Sequence, residues 1–218
     1  MTSVRAADLS RLVAIVPVRS FESAKSRLGE PLDAEERQTL VAGLLDRTIR
    51  AASGVDAIDS VVVVSPDPVV LRAATAAGAT PVRQPDDGLN EGLLAATRWA
   101  TADGATAVIV LAADLPAISA AAIEAVVAAA AAARRSDRAV VAIVADRHGR
   151  GTNVLLVSPP DAVAFRFGSG SRAAHLAEAQ AANAVALELD GPLALDLDLP
   201  EDLILADELG LLDPARVG

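Results

Sequence analysis

Asp114 is the first charge after the apolar run Ala107 to Ala113, and Leu115-Pro116 follows it. A carboxylate so placed is costly unless it is solvated, paired or bound to a cation; a turn or helix-capping Asp is the plainer alternative. A second pair of acids, Asp196 and Asp198, stands two residues apart. Side chains i and i+2 of an extended strand share a face, so these like charges repel unless a cation lies between them. With Asp114 they would form an all-oxygen site suited to Mg²⁺, which keeps several waters and takes phosphate oxygens as further ligands. Asp198 also fits a simpler role, preceding the final helix and favouring its dipole.

Cations stand on a separate segment. Arg19, Lys25 and Arg27 follow the apolar run Leu12–Val16 within one loop that also carries Ser20, Ser23 and Ser26. Lys supplies a point charge and Arg a planar fork, so the loop could hold a polyphosphate. It has neither the spacing of a P-loop nor that of a dinucleotide-binding turn, and a solvated surface loop fits the same residues. Gln84 to Gly92 places amides and glycines at a helix start, as a base-reading loop or a plain capped turn would. Gly149-Arg150-Gly151-Thr152-Asn153 and Phe167-Gly168-Ser169-Gly170-Ser171 are two further polar nodes. The second opens a helix, a geometry that favours an anion; Arg172 and His175 would add charge there. His148 and His175 have no partner at zinc spacing.

The elements that must carry these residues alternate. Strands are expected at Leu12–Val16, Ser60–Val64, Thr80–Val82, Ala107–Leu111, Ala139–Val144, Thr152–Val157 and Ala184–Leu189. Helices are expected over Asp33–Ala52, with a capping box from Asp33 and Glu36, and over Asp67–Ala77 and Leu89–Ala102. Others run from Ser119 to about Arg135, over Ser171–Gln180, and from Pro200 onward. Strands apolar on both faces between helices predict an α/β fold, a three-layer sandwich around a mostly parallel sheet. Ligands then gather beyond the carboxyl ends of the strands: after Val16, after Ser65, at Asp114 and near Asp196. The Ala139–Val157 hairpin departs from simple alternation and suggests antiparallel strands. No repeat or linker divides the chain, so residues 1–218 read as a single domain with its core at about 12–209. The tail after Leu212 is expected to fray.

Composition narrows the function classes. The 218 residues carry a net charge of -10, which disfavours general nucleic-acid binding. Apolar residues form 52% of the chain, with only 3 Phe, 1 Trp and no Tyr, so small aliphatics must pack the core. Without cysteine there are no disulfides and no thiolate metal sites. No apolar run reaches membrane-spanning length, and Met1 to Arg11 lacks a signal-peptide core. A cytoplasmic protein with no membrane partner is expected.

Taken in order, the motifs resemble a known family. They are P-V-[KR] with A-K-S-R-L, Q-P-x-x-G-L-N, D-L-P, G-R-G-T-N, F-G-x-x-S and D-[LIV]-D-x-P-x-D-L. This set is similar to the 2-phospho-L-lactate / phosphoenolpyruvate guanylyltransferases, which build a diphosphate-linked precursor of coenzyme F(420). The resemblance spans about Leu12 to Leu209 and implies a nucleotidyltransferase fold of the nucleotide-diphospho-sugar transferase type. It implies that Arg19, Lys25 and Arg27 hold the triphosphate of GTP, with Lys25 and Asp114 as catalytic residues. It places Gln84, Gly88 and Asn90 near the base, and Thr152, Gly168 and Ser171 around phosphoenolpyruvate. Asp114, Asp196 and Asp198 would bind Mg²⁺. Arg19 stands where many members carry Lys. The Ala-rich composition looks like that of a high-GC actinobacterial genome, where the resemblance implies phosphoenolpyruvate rather than 2-phospho-L-lactate as acceptor. Molybdenum-cofactor and sugar-phosphate nucleotidyltransferases normally carry a glycine-rich first loop, absent here between Val13 and Leu28. A nucleotide-binding regulatory protein would not need the three acids. A homodimer is an open option.

Overall fold

Along each apolar strand successive side chains enter different cores, and that alternation builds the layers. The computed structural model describes residues 7–21, 32–84, 88–135 and 137–212. Its strands are β1 (Leu12–Pro17), β2 (Ile58–Ser65), β3 (Thr80–Arg83), β4 (Ala107–Leu111), β5 (Val140–Ala145), β6 (Thr152–Ser158) and β7 (Val185–Leu189). Its helices are α1 (Ala34–Ser53), α2 (Pro68–Ala76), α3 (Leu89–Ala102), α4 (Ala120–Ala132), α5 (Ser171–Ala181) and α6 (Pro200–Glu208). The strands form one sheet in the order β3-β2-β1-β4-β6-β5-β7. Only β6 runs against its neighbours; the remaining pairings are parallel.

Leu12, Ala14 and Val16 face one core with Leu45 and Ile49 of α1, Val70 of α2 and Ile123 of α4. Val13 and Ile15 face the other core with Leu93 and Ala96 of α3 and Ala179 of α5. This is the expected three-layer sandwich. Each fully buried Leu or Ile contributes about 1.5–3 kcal/mol, so many small aliphatics can replace the missing aromatics. A third cluster packs Leu203 of α6 and Leu197 against Leu40 and Leu44 of α1.

The start of α1 is the capping box expected from Asp33 and Glu36. Asp33 Oδ1 accepts from the Glu35 and Glu36 amides at 2.8 and 2.9 Å, and the Asp33 amide donates to Glu36 Oε2 at 2.7 Å. Helix α4 stops at Ala132, before the expected Arg135, because the chain there turns into a bridge between Arg135 and Arg138. Among the described residues no helix is long and apolar enough to cross a membrane.

Candidate active site

The carboxyl ends of β1 and β4 open into one cleft of about 690 Å³. After β1 the Val18 amide donates to Val64 O at 3.0 Å, and Ser65 Oγ donates to Arg19 O at 3.2 Å. The exposed Arg19 is thereby held at the cleft. The Ser65 segment itself does not line the cleft among its described residues. It was expected as a ligand edge; its buried hydroxyl instead braces the neighbouring loop.

Asp114 lies in the turn after β4, half-buried. One carboxylate oxygen each from Asp114, Asp196 and Asp198 lie within 4.8 Å of one another. Sequence spacing thus brings the three acids together as expected, but by a different backbone. Leu195–Asp198 is not a sheet strand. A 3₁₀ turn at Pro192–Ala194 takes the chain away from β7, and the Leu197 amide donates to Asp114 O at 3.2 Å. Leu195 and Leu197 are buried while Asp196 and Asp198 are not, so the alternation survives outside the sheet.

Two residues absent from the expected site hold this arrangement. Asn153 Nδ2 donates to Leu193 O and Ala194 O, both at 3.0 Å, while its carbonyl accepts from the Ala112 amide. It therefore ties the approach to Asp196 to the exit of β4. Asp202 is buried at the start of α6, where its Oδ2 accepts from the Asp198 and Leu199 amides at 3.0 and 2.7 Å. Its Oδ1 lies 2.5 Å from Arg147 Nη2, an ion pair without hydrogen-bond alignment. Both lay in quoted motifs, G-R-G-T-N and D-x-D-x-P-x-D. The local cap by Asp202 follows from its position in the first turn of α6; what the sequence could not supply was the distant partners, the Leu193 and Ala194 carbonyls for Asn153 and Arg147 for Asp202.

The β5–β6 hairpin and the start of α5 line the same cleft. Thr152 and Ser171 are buried and line the cleft, as do Gly168, Ser169 and Gly170. Gly168 and Gly170 have φ of +127° and +73°, conformations that L side chains rarely adopt, and they turn the loop into α5. The amide of Ser171 donates to Gly168 O at 3.1 Å. Arg172 and His175 do not supply the expected charge. Arg172 Nε pairs with Glu188 at 2.6 Å and its Nη1 donates to Gly149 O at 3.2 Å. His175 is fully buried, and burial pushes it down to about 4 against the pull of Glu178, so it is neutral. The exposed Arg150 is the cation that does line this wall.

Gln84, Gly88 and Asn90 stand around the start of α3, beside the cleft rather than in its lining; of the described residues there, Leu89 lines it. Gln84 Nε2 donates to Gly88 O at 2.8 Å. Asn90 spends its amide on Phe167: Nδ2 donates to Phe167 O at 3.1 Å and Oδ1 accepts from Phe167 N at 2.8 Å. Lys25 and Arg27 lie outside the described residues.

A cleft at the carboxyl edge of such a sheet, with three acids grouped in it, defines a ligand-binding α/β protein whose site suits a hard divalent cation. Solved structures share the fold. A Desulfovibrio desulfuricans protein assigned to the nucleotide-diphospho-sugar transferases superposes with a TM-score of 0.73 at 16% identity, covering 94% of this chain and 90% of its own. A cytidylyltransferase from Leptospira borgpetersenii gives 0.61 at 13%, covering 95% and 89%. The chain belongs to the family described as Guanylyl transferase CofC like, which it matches over residues 12–207. Curated relatives named phosphoenolpyruvate guanylyltransferase include one from Sphaerobacter thermophilus, 43% identical over 88% of this chain and 90% of its own length. Another, from Rubrobacter xylanophilus, is 39% identical over 90% and 94%.

Proposed function

We propose that this protein joins the guanylyl group of GTP to phosphoenolpyruvate, releasing pyrophosphate, as a step toward coenzyme F(420). The observation that carries the reading is the clustering of Asp114, Asp196 and Asp198 in a cleft shared with Arg19, Thr152 and Ser171. The relatives' names supply the substrates. Both are metabolites that go with a cytoplasmic setting.

In the reaction an acceptor phosphate oxygen forms a bond to the α-phosphorus of GTP, and the bond from that phosphorus to the β-phosphate bridge breaks. The acceptor phosphate is already ionised, so no side chain need remove a proton. The chain's task is to hold two anions that repel each other in line. Arg19, with Lys25 and Arg27, gathers the triphosphate. Gln84, Gly88 and Asn90 shape the wall nearest the guanine, Asn90 by fixing Phe167. Thr152, Gly168 and Ser171 hold the three-carbon acid beside the first turn of α5. Asp114, Asp196 and Asp198 fit Mg²⁺, which when bound would neutralise phosphate oxygens and the leaving pyrophosphate.

Pyrophosphate release from purified protein with Mg²⁺, each nucleoside triphosphate and a panel of phosphorylated acids tests the reading. GTP with phosphoenolpyruvate should give the fastest release; release with no phosphorylated acid, or only with a sugar phosphate, would sink it. The acceptor is decided by competing phosphoenolpyruvate with 2-phospho-L-lactate and weighing the product. The two differ mainly in planarity at the central carbon, and such differences are worth only about 1–3 kcal/mol.

A further inference from the structure

His175 sits beneath the acceptor wall without touching the cleft. Both ring nitrogens have partners. The backbone N–H of Arg166, which can only donate, lies 2.9 Å from Nε2. Nε2 is therefore an acceptor, and in a neutral ring the proton must then reside on Nδ1. Nδ1 lies 3.0 Å from Thr152 Oγ1. The ring cannot easily turn away from this pairing: it is fully buried, and Phe167 meets it edge-on with centroids 4.8 Å apart. Asn90 holds the main chain of Phe167 through two hydrogen bonds.

The direction of one hydrogen bond follows. Nδ1–H donates to Thr152 Oγ1, so the hydroxyl hydrogen cannot point back at the ring. A hydroxyl has one hydrogen and two lone pairs, and the histidine occupies a lone pair. Among the described residues Thr152 Oγ1 has no second hydrogen-bond partner, and Thr152 lines the cleft. We propose that His175 is a positioning residue: by donating from Nδ1 it keeps the Thr152 hydroxyl hydrogen off the ring and available to donate to an anionic oxygen of the acceptor acid. This rests on the reading that Thr152 binds the acceptor. The arrangement suits an anion, because the other tautomer, with a bare Nδ1, would draw the hydroxyl hydrogen to the ring and leave only lone pairs for the acid. A charged imidazolium would instead lose its acceptor at Nε2 and face the Arg166 amide donor to donor.

The chain has 2 histidines, so the tautomer can be read directly. Two-bond ¹⁵N–¹H correlation on ¹⁵N-histidine-labelled protein at neutral pH should show His175 neutral, protonated at Nδ1 and pyridine-like at Nε2. A ring protonated at Nε2, or on both nitrogens, overturns the proposal. Kinetics give the second arm. His175→Gln can keep an acceptor for the Arg166 amide but removes the donor at the Nδ1 position; His175→Asn offers a donor there. His175→Gln should raise the phosphoenolpyruvate KM about tenfold with the GTP KM unchanged, and His175→Asn should recover much of that loss. The double variant Thr152→Val/His175→Gln should be no worse than Thr152→Val alone. Equal rises in both KM values, additive effects, or a normal acceptor KM in His175→Gln overturn the positioning role. An unchanged acceptor KM in Thr152→Val defeats the underlying acceptor reading instead, and the NMR result separates the two failures.

Discussion

The two walls of the cleft are built on opposite principles. The acid wall places Asp114, Asp196 and Asp198 half-buried or exposed, with oxygens within 4.8 Å of one another. The hairpin wall presents buried, neutral polar groups in Thr152, Asn153 and Ser171 beside the exposed Arg150, with the buried His175 beneath it, while Arg172 pairs with Glu188. Crowded carboxylates repel unless neighbouring cations or hydrogen-bond donors offset the charge, and on the proposed reading a bound Mg²⁺ would do so here. Buried polar groups must be satisfied in the fold itself, so they serve structure and recognition together. Changes on the acid wall should therefore act on turnover, and changes on the hairpin wall on stability and acceptor binding.

The largest effect tests the acid wall. Asp114→Asn and Asp196→Asn should each cut turnover by at least about two orders of magnitude while leaving the melting temperature near that of the parent. Pyrophosphate release measured across Mg²⁺ concentrations checks it, and near-normal turnover would erase the contrast between the walls.

Acid should act first on the hairpin wall. His175 has its pKa pushed down to about 4 by burial, from 6.5 in the unfolded chain, with Glu178 raising it and Arg166 lowering it. The unfolded chain thus takes up this proton first. Its contribution to stability is complete above about pH 6.5 and is lost as pH falls through 4, amounting to about 3 kcal/mol. Denaturant unfolding between pH 7 and pH 4 should show this loss, and His175→Gln should lack it. An identical pH slope in the variant would show that burial of the ring is not the cause.

Next come Thr152→Val and Ser171→Ala. Each should raise the acceptor KM about tenfold to a hundredfold and leave the GTP KM alone, since a hydrogen bond to a charged group is worth about 1.5–3 kcal/mol. Initial-rate kinetics with each substrate varied distinguish the walls; an effect confined to GTP would exchange their roles.

The smallest effect belongs to Arg172→Ala. Its pair with Glu188 is solvent-exposed, so stability should fall by about 1 kcal/mol or less and acceptor KM should not move. A rise in acceptor KM beyond tenfold would place this cation in the site after all.

Element type and order were legible in the residues because local rules set them. Apolar runs ended at polar turns, Asp33 and Glu36 closed a capping box, and Asp114 stood at the end of a buried strand. The period-two pattern of Leu195 to Asp198 told which side chains are buried. Residue type and spacing therefore determined the layers, the three acids and the small-residue loop of Gly168 and Gly170. Long-range partners decided the rest. Only the tertiary structure shows that Asn153 binds the turn before Asp196, that Asp202 pairs with Arg147, and that Asn90 is spent on Phe167. It also converts His175 from a candidate charge into a neutral donor, because the Arg166 amide and a dry core surround it. A sequence specifies what a side chain can donate or accept; which proton sits where depends on the groups that folding brings to it.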